Sequence, residues 1–372
     1  MQIIGVTGQN GFIGYHLTQT LMLRPNEFQI IEFKREYFLE EEKMDFFVKK
    51  CDVIVHLAGL NRHTDTQIIF DTNIKLVELL VNSLKRTQSR AHILMTSSTQ
   101  EGNVTHYGES KQVGRQKLAE WAKDTKAVFT GLIVPNVFGP FCQPFYNSVV
   151  ATFCHQIAQD QVPIIKNDAK LKLIYVSDLI SLIIESIIKK IDDSERLVLP
   201  TAEVNVSIIY KLIMYFKKIY QVDGVFPELN NDFELKLFNT YRCYMNLEHQ
   251  FPKPLKKHID ARGYFVEIAR CGLSGQTSFS TTEKGITRGN HFHTRKIERF
   301  VVIQGKACIR LRRIGTTKVY EYFLDGESPS YVDIPIWHAH NITNIGCEQL
   351  YTVFWINEPY KSDDPDTYTV AV

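Results

Sequence analysis

The sequence predicts an α/β chain of two domains, a doubly wound parallel sheet followed by an all-β barrel. Three observations carry that reading. Up to about residue 240, short apolar runs alternate with segments of helical spacing; a glycine-rich turn joins the first run to the first helix; and beyond a Pro- and Lys-rich junction at 251–257 the chain breaks into short β-rich runs punctuated by glycine. A length of 372 residues accommodates two ordinary domains. Hydrophobic residues at 44% and charged residues at 23% supply more than one core and exclude a disordered chain.

In order, Gln2–Thr7, Phe28–Phe33, Val53–Leu57, His92–Thr96 and Val128–Val134 read as strands, and Ile69–Leu84 and Val113–Lys123 as helices between them. Leu179–Ile191 is interrupted by Ser181, Glu185 and Ser186 and falls short of the ~20 residues that span a bilayer, so it reads as a buried helix. The junction Phe251-Pro-Lys-Pro-Leu-Lys-Lys257 extends neither a helix nor a central strand, which sets the expected domains at 1–249 and 250–372. Past it, Tyr264–Ala269, Phe300–Ile303, Ala307–Arg312, Lys318–Phe323 and Gln349–Trp355 read as strands of the barrel.

Lys plus Arg (43) nearly cancels Asp plus Glu (41), leaving no basic field to hold nucleic acid or an anionic membrane, so neither is expected as a partner. The seven cysteines (51, 142, 154, 243, 271, 308, 347) form no CxxC pair and suit free thiols in a reducing compartment. The opening MQIIGVTG has no basic segment followed by an apolar one. The expected location is the cytoplasm.

The strand Gln2–Thr7 runs into Gly8-Gln-Asn-Gly11-Phe12-Ile13-Gly14 and then a helix-like segment, the first unit of a dinucleotide-binding fold. Gly8 permits the tight turn, Gly11 lets backbone N–H groups approach a pyrophosphate at the positive helix end, and Gly14 allows close helix-to-strand packing. At the end of the second strand, Glu32 suits a ribose hydroxyl as in NAD, whereas Arg35 suits a 2′-phosphate and favours NADP. Solvated charges at a strand end are the bland alternative for both.

Tyr107-Gly-Glu-Ser-Lys111 opens a helix, so Tyr107 and Lys111 project from one face. A nearby ammonium favours the phenolate and is expected to lower the tyrosine pKa, readying it to exchange a proton with a carbonyl or hydroxyl. The pair follows the hydroxyl cluster Thr96-Ser97-Ser98-Thr99 at the strand edge where a doubly wound sheet places its ligand.

These motifs, with the Leu57-Ala58-Gly59 turn and Pro135-Asn-Val-Phe-Gly-Pro140, resemble the extended short-chain dehydrogenases/reductases over roughly the first 245 residues. The resemblance implies a Rossmann-type domain binding NADPH through Gly8, Gly11, Phe12, Ile13, Gly14, Arg35, Leu57, Ala58, Gly59 and Lys111. It implies Tyr107 as proton donor, Lys111 as its partner and ligand of the nicotinamide ribose, and Ser98, with Ser97 or Thr99 as alternatives, as the hydroxyl on the reacting oxygen. Asn136 and Phe145-Tyr-Asn147 fall where substrate would lie. Two departures are a short stretch between the second strand and Val53 and only eight residues between Ser98 and Tyr107.

In the second domain, Gly285-x5-His291-x-His293-x4-Glu298-x6-Gly305 is followed by Pro335-x-Trp337-x2-His340-x3-Asn344. Two histidines alternating along a strand face the same side, and Glu298 and His340 can converge on them. Three imidazoles and a carboxylate suit Zn2+, and ligand type alone also admits nickel, manganese or iron(II). The two halves resemble paired cupin motifs, with Trp337 where glycine is commoner. Asp260-x-Arg262-Gly263-x-Phe265-x-Glu267, Gln276-x-Ser278-x-Ser280 and Arg288-Gly-Asn-His291 resemble the nucleotide-linked 4-keto-6-deoxyhexose 3,5-epimerases. In those cupins the histidine at the position of His291 is the base and the tyrosine at that of Tyr351 returns a proton. Here His293 stands where glutamine is usual and Glu298 where lysine is, which converts the site into a ligand set and leaves the base unassigned.

Along its whole length the chain resembles bifunctional enzymes of capsular polysaccharide synthesis. The resemblance implies a UDP-2-acetamido-2,6-dideoxy-4-hexulose substrate, inversion at C3 by the cupin domain, and reduction at C4 with NADPH. The implied product is a UDP-2-acetamido-2,6-dideoxy-L-talose on the way to N-acetylfucosamine, made by a homodimer formed through the cupin domain. The alternatives are a single-activity reductase whose cupin is a metal-braced dimerisation or sugar-binding module, and a non-catalytic nucleotide sensor, which would have no need of Tyr107 and Lys111.

Overall fold

The structure, a computed structural model, describes residues 1–260, 263–266, 268–269, 275–358 and 361–372, with 258–260 and 263–266 given by their backbone. Arg262, Glu267 and Cys271 lie outside the described residues. Two compact units form, one from Met1–Thr152 with Ile165–Val206, the other from Phe153–Ile164 with Ser207–Val372.

The first unit alternates strands and helices as expected: β1 (Gln2–Thr7), α1 (Phe12–Met22), β2 (Phe28–Ile31), α2 (Glu41–Lys50), β3 (Val53–His56), α3 (Thr66–Arg86), β4 (His92–Ser98), α4 (His106–Thr125), β5 (Phe129–Val134), β6 (Asn136–Phe138), α5 (Val149–Ala158, in the other unit from Phe153 on), β7 (Lys170–Tyr175), α6 (Val176–Lys189), β8 (Asp193–Leu197) and β9 (Ala202–Asn205). Six strands pair in parallel in the order β2-β1-β3-β4-β5-β8. Such strands are apolar on both faces because helices cover both. Phe47, Leu80, Leu84 and Trp121 pack beneath one face, and Leu17, Leu21, Ile180 and Ile183 cover the other. The short stretch after β2 holds α2 and no strand, so β3 returns directly beside β1 and the strand order reverses there. A small sheet, β6-β7-β9, was not expected from the sequence and carries Asn136.

The second unit contains α7 (Val206–Phe216, its first residue in the other unit), α8 (Asp232–Arg242), α9 (Leu247–Gln250) and the strands β10 (Lys253–Pro254), β11 (Lys257–Asp260), β12 (Gly263–Val266), β13 (Gln276–Thr282), β14 (Thr287–Phe292), β15 (Glu298–Gln304), β16 (Lys306–Arg313), β17 (Val319–Asp325), β18 (Ser330–Ile334), β19 (His338–Asn344), β20 (Leu350–Ile356) and β21 (Tyr368–Thr369). Two antiparallel sheets, β10-β18-β15-β20-β13 and β17-β16-β19-β14-β21, make a cupin-like barrel around Val302, Ile309, Leu311, Val332 and Leu350. Lys253-Pro254 of the junction is itself an edge strand, a place where a proline's missing N–H is harmless.

Alternation along β15 points Glu298 and Phe300 into the barrel and Arg299 out of it. Outside, Arg299 forms a two-point pair with buried Asp333 at 2.7 and 2.9 Å, lies 3.7 Å over the Tyr331 ring, and donates to Gly224 O at 3.0 Å. Tyr220 donates to the same carboxylate at 2.6 Å, and Arg242 reaches Tyr220 Oη and Ile334 O. Residues 220–242 are thereby fastened to the strand that carries Glu298. Among the described residues no helix is long and apolar enough to cross a membrane.

Removing one member of a buried pair strands the other's charge, so Asp333→Ala should lower the unfolding free energy of the second unit by about 3–5 kcal/mol, whereas Arg299→Met/Asp333→Leu should recover most of it. Urea unfolding of the second unit checks this, and a single variant within about 1 kcal/mol of wild type would refute it.

Candidate active site and metal centre

The turn after β1 is built as its glycines require. Gly8 has φ +77°, and a Cβ there would meet Ala58 N at 2.8 Å; a Cβ at Gly14 would lie 2.2 Å from Gly8 O. The turn therefore lies against Leu57 and Ala58, and α1 begins hard against it. Gly11 is the helix N-cap without a side-chain cap, and Phe12 and Ile13, half-buried, form the first turn. N–H groups at that end are free to face a pyrophosphate. Gln9 Oε1 accepts from Phe33 N at 3.3 Å, tying the turn to the end of β2. Glu32 and Arg35 are both exposed there.

Lys111 is buried between two backbone segments. Its Nζ donates to Thr96 O at 3.3 Å and lies 3.5 Å from where a Gly59 Cβ would be. Asn73, which nothing in the sequence singled out, holds the Leu57–Leu60 turn: its Oδ1 accepts from Leu60 N at 2.7 Å and its Nδ2 donates to Leu60 O and Ser110 Oγ, both at 3.0 Å. The signal available was an Asn on the buried face of a long helix, where an amide needs partners.

Tyr107 starts α4, whose cap is Thr105, accepting from Gly108 N at 3.1 Å. The three hydroxyl candidates separate. Ser98 hydrogen-bonds the Tyr107 phenol, Ser97 is engaged by Glu101, and Thr99 opens the 3-10 turn that follows β4. Lys111 Nζ stands 5.9 Å from the Tyr107 ring centre. Burial pushes the phenol up to about 12, with Tyr146 adding to the rise and Ser98 opposing it. The expected lowering by Lys111 is thus corrected: desolvation outweighs a distant ammonium, and the phenol stays protonated. Phe145 and Tyr146 present their carbonyls to Arg62 at 2.6 and 2.9 Å, and Asn147 donates to Asn61 O, knitting that segment to the loop after β3. Asn136 is exposed on β6.

Lys111 is itself pushed down to about 8, burial being the cause and Glu101 opposing it. Arg115 holds Glu101 by two contacts of 2.9 and 2.7 Å. His56, which faces Lys111, is pushed down to about 3 by burial and by that ammonium, so it adds no competing charge.

The cupin ligand set comes together. Donor atoms of His291, His293, Glu298 and His340 lie within 4.8 Å of one another, at the side of a cavity of about 230 Å3 that Arg288, Phe300 and Phe354 also line. His291 lies on β14 just after a bulge and His293 one residue past the strand's end, two residues on, and their ring centres are 5.0 Å apart. His293 Nδ1 faces Asp366 O at 2.5 Å and His340 Nδ1 faces His338 O at 3.3 Å. Carbonyls only accept, so both rings carry hydrogen on Nδ1 and present Nε2 lone pairs to Glu298 Oε2, at 3.1 and 3.0 Å. None of these three buried atoms has a hydrogen-bond partner, although they are within contact distance, because acceptor faces acceptor. Lone pairs converging on one point demand a cation. Burial, with His340 and His293 adding, pushes His291 down to about 4, keeping it a neutral donor.

Trp337 stands where glycine is commoner because its φ is +60°; it is held by Trp337 N donating to His293 O at 2.7 Å and by stacking on Phe292. Tyr351 does not join the site. It lies three residues from Phe354 on β20, hence on the opposite sheet face from that cavity-lining ring.

The chain belongs to the NAD dependent epimerase/dehydratase family, which it matches over residues 4–198. Residues 258–368 match the Polysaccharide biosynthesis C-terminal domain. Over its full length the chain is similar to the crystal structure of the capsular polysaccharide assembling protein CapF from Staphylococcus aureus, at 34% identity and TM-score 0.63 with 100% of both chains covered. It is also 32% identical to the UDP-2-acetamido-2,6-beta-L-arabino-hexul-4-ose reductase of Pseudomonas aeruginosa, over 99% of this chain and 98% of the relative. The spore coat polysaccharide biosynthesis protein SpsL of Bacillus subtilis is 28% identical over 126 residues, 31% of this chain and 82% of that one.

With the carboxylate gone, burial acts on Lys111 unopposed, so Glu101→Gln should move its titration from near pH 8 to lower pH. NMR of lysines 13C-labelled at Cε reads this directly; an unmoved Lys111 titration would contradict the account.

Proposed function

We propose that the chain is a bifunctional nucleotide-sugar enzyme in which residues 1–249 reduce C4 of a UDP-2-acetamido-2,6-dideoxy-4-hexulose with NADPH and residues 250–372 invert C3 of the same ketone, giving a UDP-2-acetamido-2,6-dideoxy-L-talose. The observation that carries the reading is the grouping of Ser98, Tyr107 and Lys111 at the β4 edge, in a chain so similar along its length to a hexul-4-ose reductase. A ketone at C4 serves both halves, because it acidifies the C3–H for epimerisation and is the group that the reduction consumes.

In the first unit NADPH, when bound, supplies the hydride. A phenol held protonated is the form that can donate, so Tyr107 gives its proton to the C4 oxygen as that oxygen gains charge. Ser98 positions the same oxygen by its hydroxyl. Lys111, its ammonium between Thr96 O and the Gly59 backbone, holds the nicotinamide ribose and favours the phenolate left behind. Arg35, exposed after β2, supplies a guanidinium for the 2′-phosphate of NADPH.

In the second unit the converging lone pairs of His293, His340 and Glu298, with the neutral His291, fit a divalent ion such as zinc. Such an ion, when bound, stabilises negative charge on an adjacent oxygen. Phe300 and Phe354 give the cavity apolar walls, and Arg288, its Nε donating to Thr281 O at 3.1 Å, offers a cation to an anionic substrate at the exposed rim.

The test follows solvent deuterium entry at C3 separately from NADPH oxidation. Tyr107→Phe should cut oxidation by ~10²–10⁴-fold and leave exchange intact. Oxidation without any exchange in the wild-type protein would reduce the cupin to a metal-braced binding or dimerisation module. Arg35→Ala should raise the KM for NADPH about tenfold or more while leaving that for NADH unchanged, since it removes a charge-assisted contact that only the 2′-phosphate makes; equal effects on both would defeat the NADP assignment.

A further inference from the structure

His293 lies past the end of β14, where the ladder no longer fixes its ring. The chain's last residues fix it instead. Buried Asp366 accepts, through its carboxylate, the backbone N–H groups of Thr294, Arg295 and Lys296 at 3.1, 3.0 and 3.1 Å and the Thr294 hydroxyl at 2.5 Å. Its own carbonyl takes the Nδ1–H of His293 at 2.5 Å. Arg295 donates to Asp364 at 2.7 Å, Lys296 Nζ to Pro365 O at 2.7 Å, and β21 pairs with β14 through Thr369 and His291, so the segment is fastened on both sides of Asp366. Asp366 has φ +41°, a strained backbone that persists only where its surroundings impose it.

We propose that Asp366 is a positioning residue of the metal centre: its side chain anchors the C-terminal segment so that its carbonyl fixes the Nδ1–H tautomer and the direction of His293. The proposal rests on the metal reading above. Outer groups that orient a ligating imidazole typically change metal affinity 10–100-fold when lost. A carbonyl brings no charge of its own to the ring, and the Asp366 carboxylate is spent on the turn that carries it.

The test uses the full-length protein stripped of metal and titrated with Co2+ alone, reading affinity and the visible d–d spectrum, alongside melting of the metal-free form. Asp366→Ala should weaken Co2+ binding ~10–100-fold and alter the spectrum. Asp366→Asn keeps an acceptor oxygen and a residue that tolerates positive φ, so it should restore most of both. Should Asp366→Ala fail to fold, Thr294→Val, which removes one of the five bonds, should shift affinity and spectrum the same way by less. A variant that melts earlier without metal yet binds Co2+ with wild-type affinity and spectrum would overturn the proposal. Binding by the wild type that is unchanged in His291→Gln and Glu298→Gln would instead overturn the ligand assignment, and this proposal with it.

Discussion

Desolvation of ionisable groups is the constraint on which both units depend. A charged or lone-pair-bearing group taken out of water needs a partner placed in advance, and Tyr107, Lys111 and the four cupin ligands are all buried or half-buried. Lys111 is tolerated because Thr96 O and Glu101 compensate it, and Glu101 because Arg115 holds it. Arg299 and Asp333 compensate one another behind the strand that carries Glu298. At the cupin centre no group among the described residues compensates the three converging acceptors, which is what distinguishes a ligand set from a structural hydrogen-bond network.

The same constraint explains why supporting residues come from remote parts of the chain. Asn73 braces the Leu57–Leu60 turn from α3, 13 residues away. Asp366 braces His293 from 73 residues away. Neither touches the reacting groups in the proposed reactions; each fixes a backbone or ring that does. A rigid sheet edge or barrel wall supplies the main placement, and these polar braces set the remaining degrees of freedom.

Much was legible in the sequence because periodicity and glycine chemistry are local. Five of the six strands of the parallel sheet, the glycine turn and the Tyr107/Lys111 spacing are read from neighbours within a few residues, whereas the edge strand β8, with its charged Asp193, Glu195 and Arg196, has no apolar run to read. The ligand set was equally legible, since only four side-chain types bind such ions readily and the histidines stand two residues apart. The small sheet β6-β7-β9 was hidden because its strands are short and distant in sequence, and the pairing of residues 220–242 with the barrel because side-chain pairs such as Arg299 and Asp333 leave no periodic trace.

From sequence alone came the two-domain order, the family resemblance and the residue types of both sites, because those depend on local pattern and donor chemistry. Tertiary structure decided which hydroxyl faces Tyr107, that burial raises its pKa where proximity to Lys111 was expected to lower it, that Tyr351 lies on the wrong face of β20, and that the C-terminal segment holds His293. Those outcomes turn on desolvation, strand parity and contacts between residues far apart in the chain, and such quantities exist only once the chain has folded.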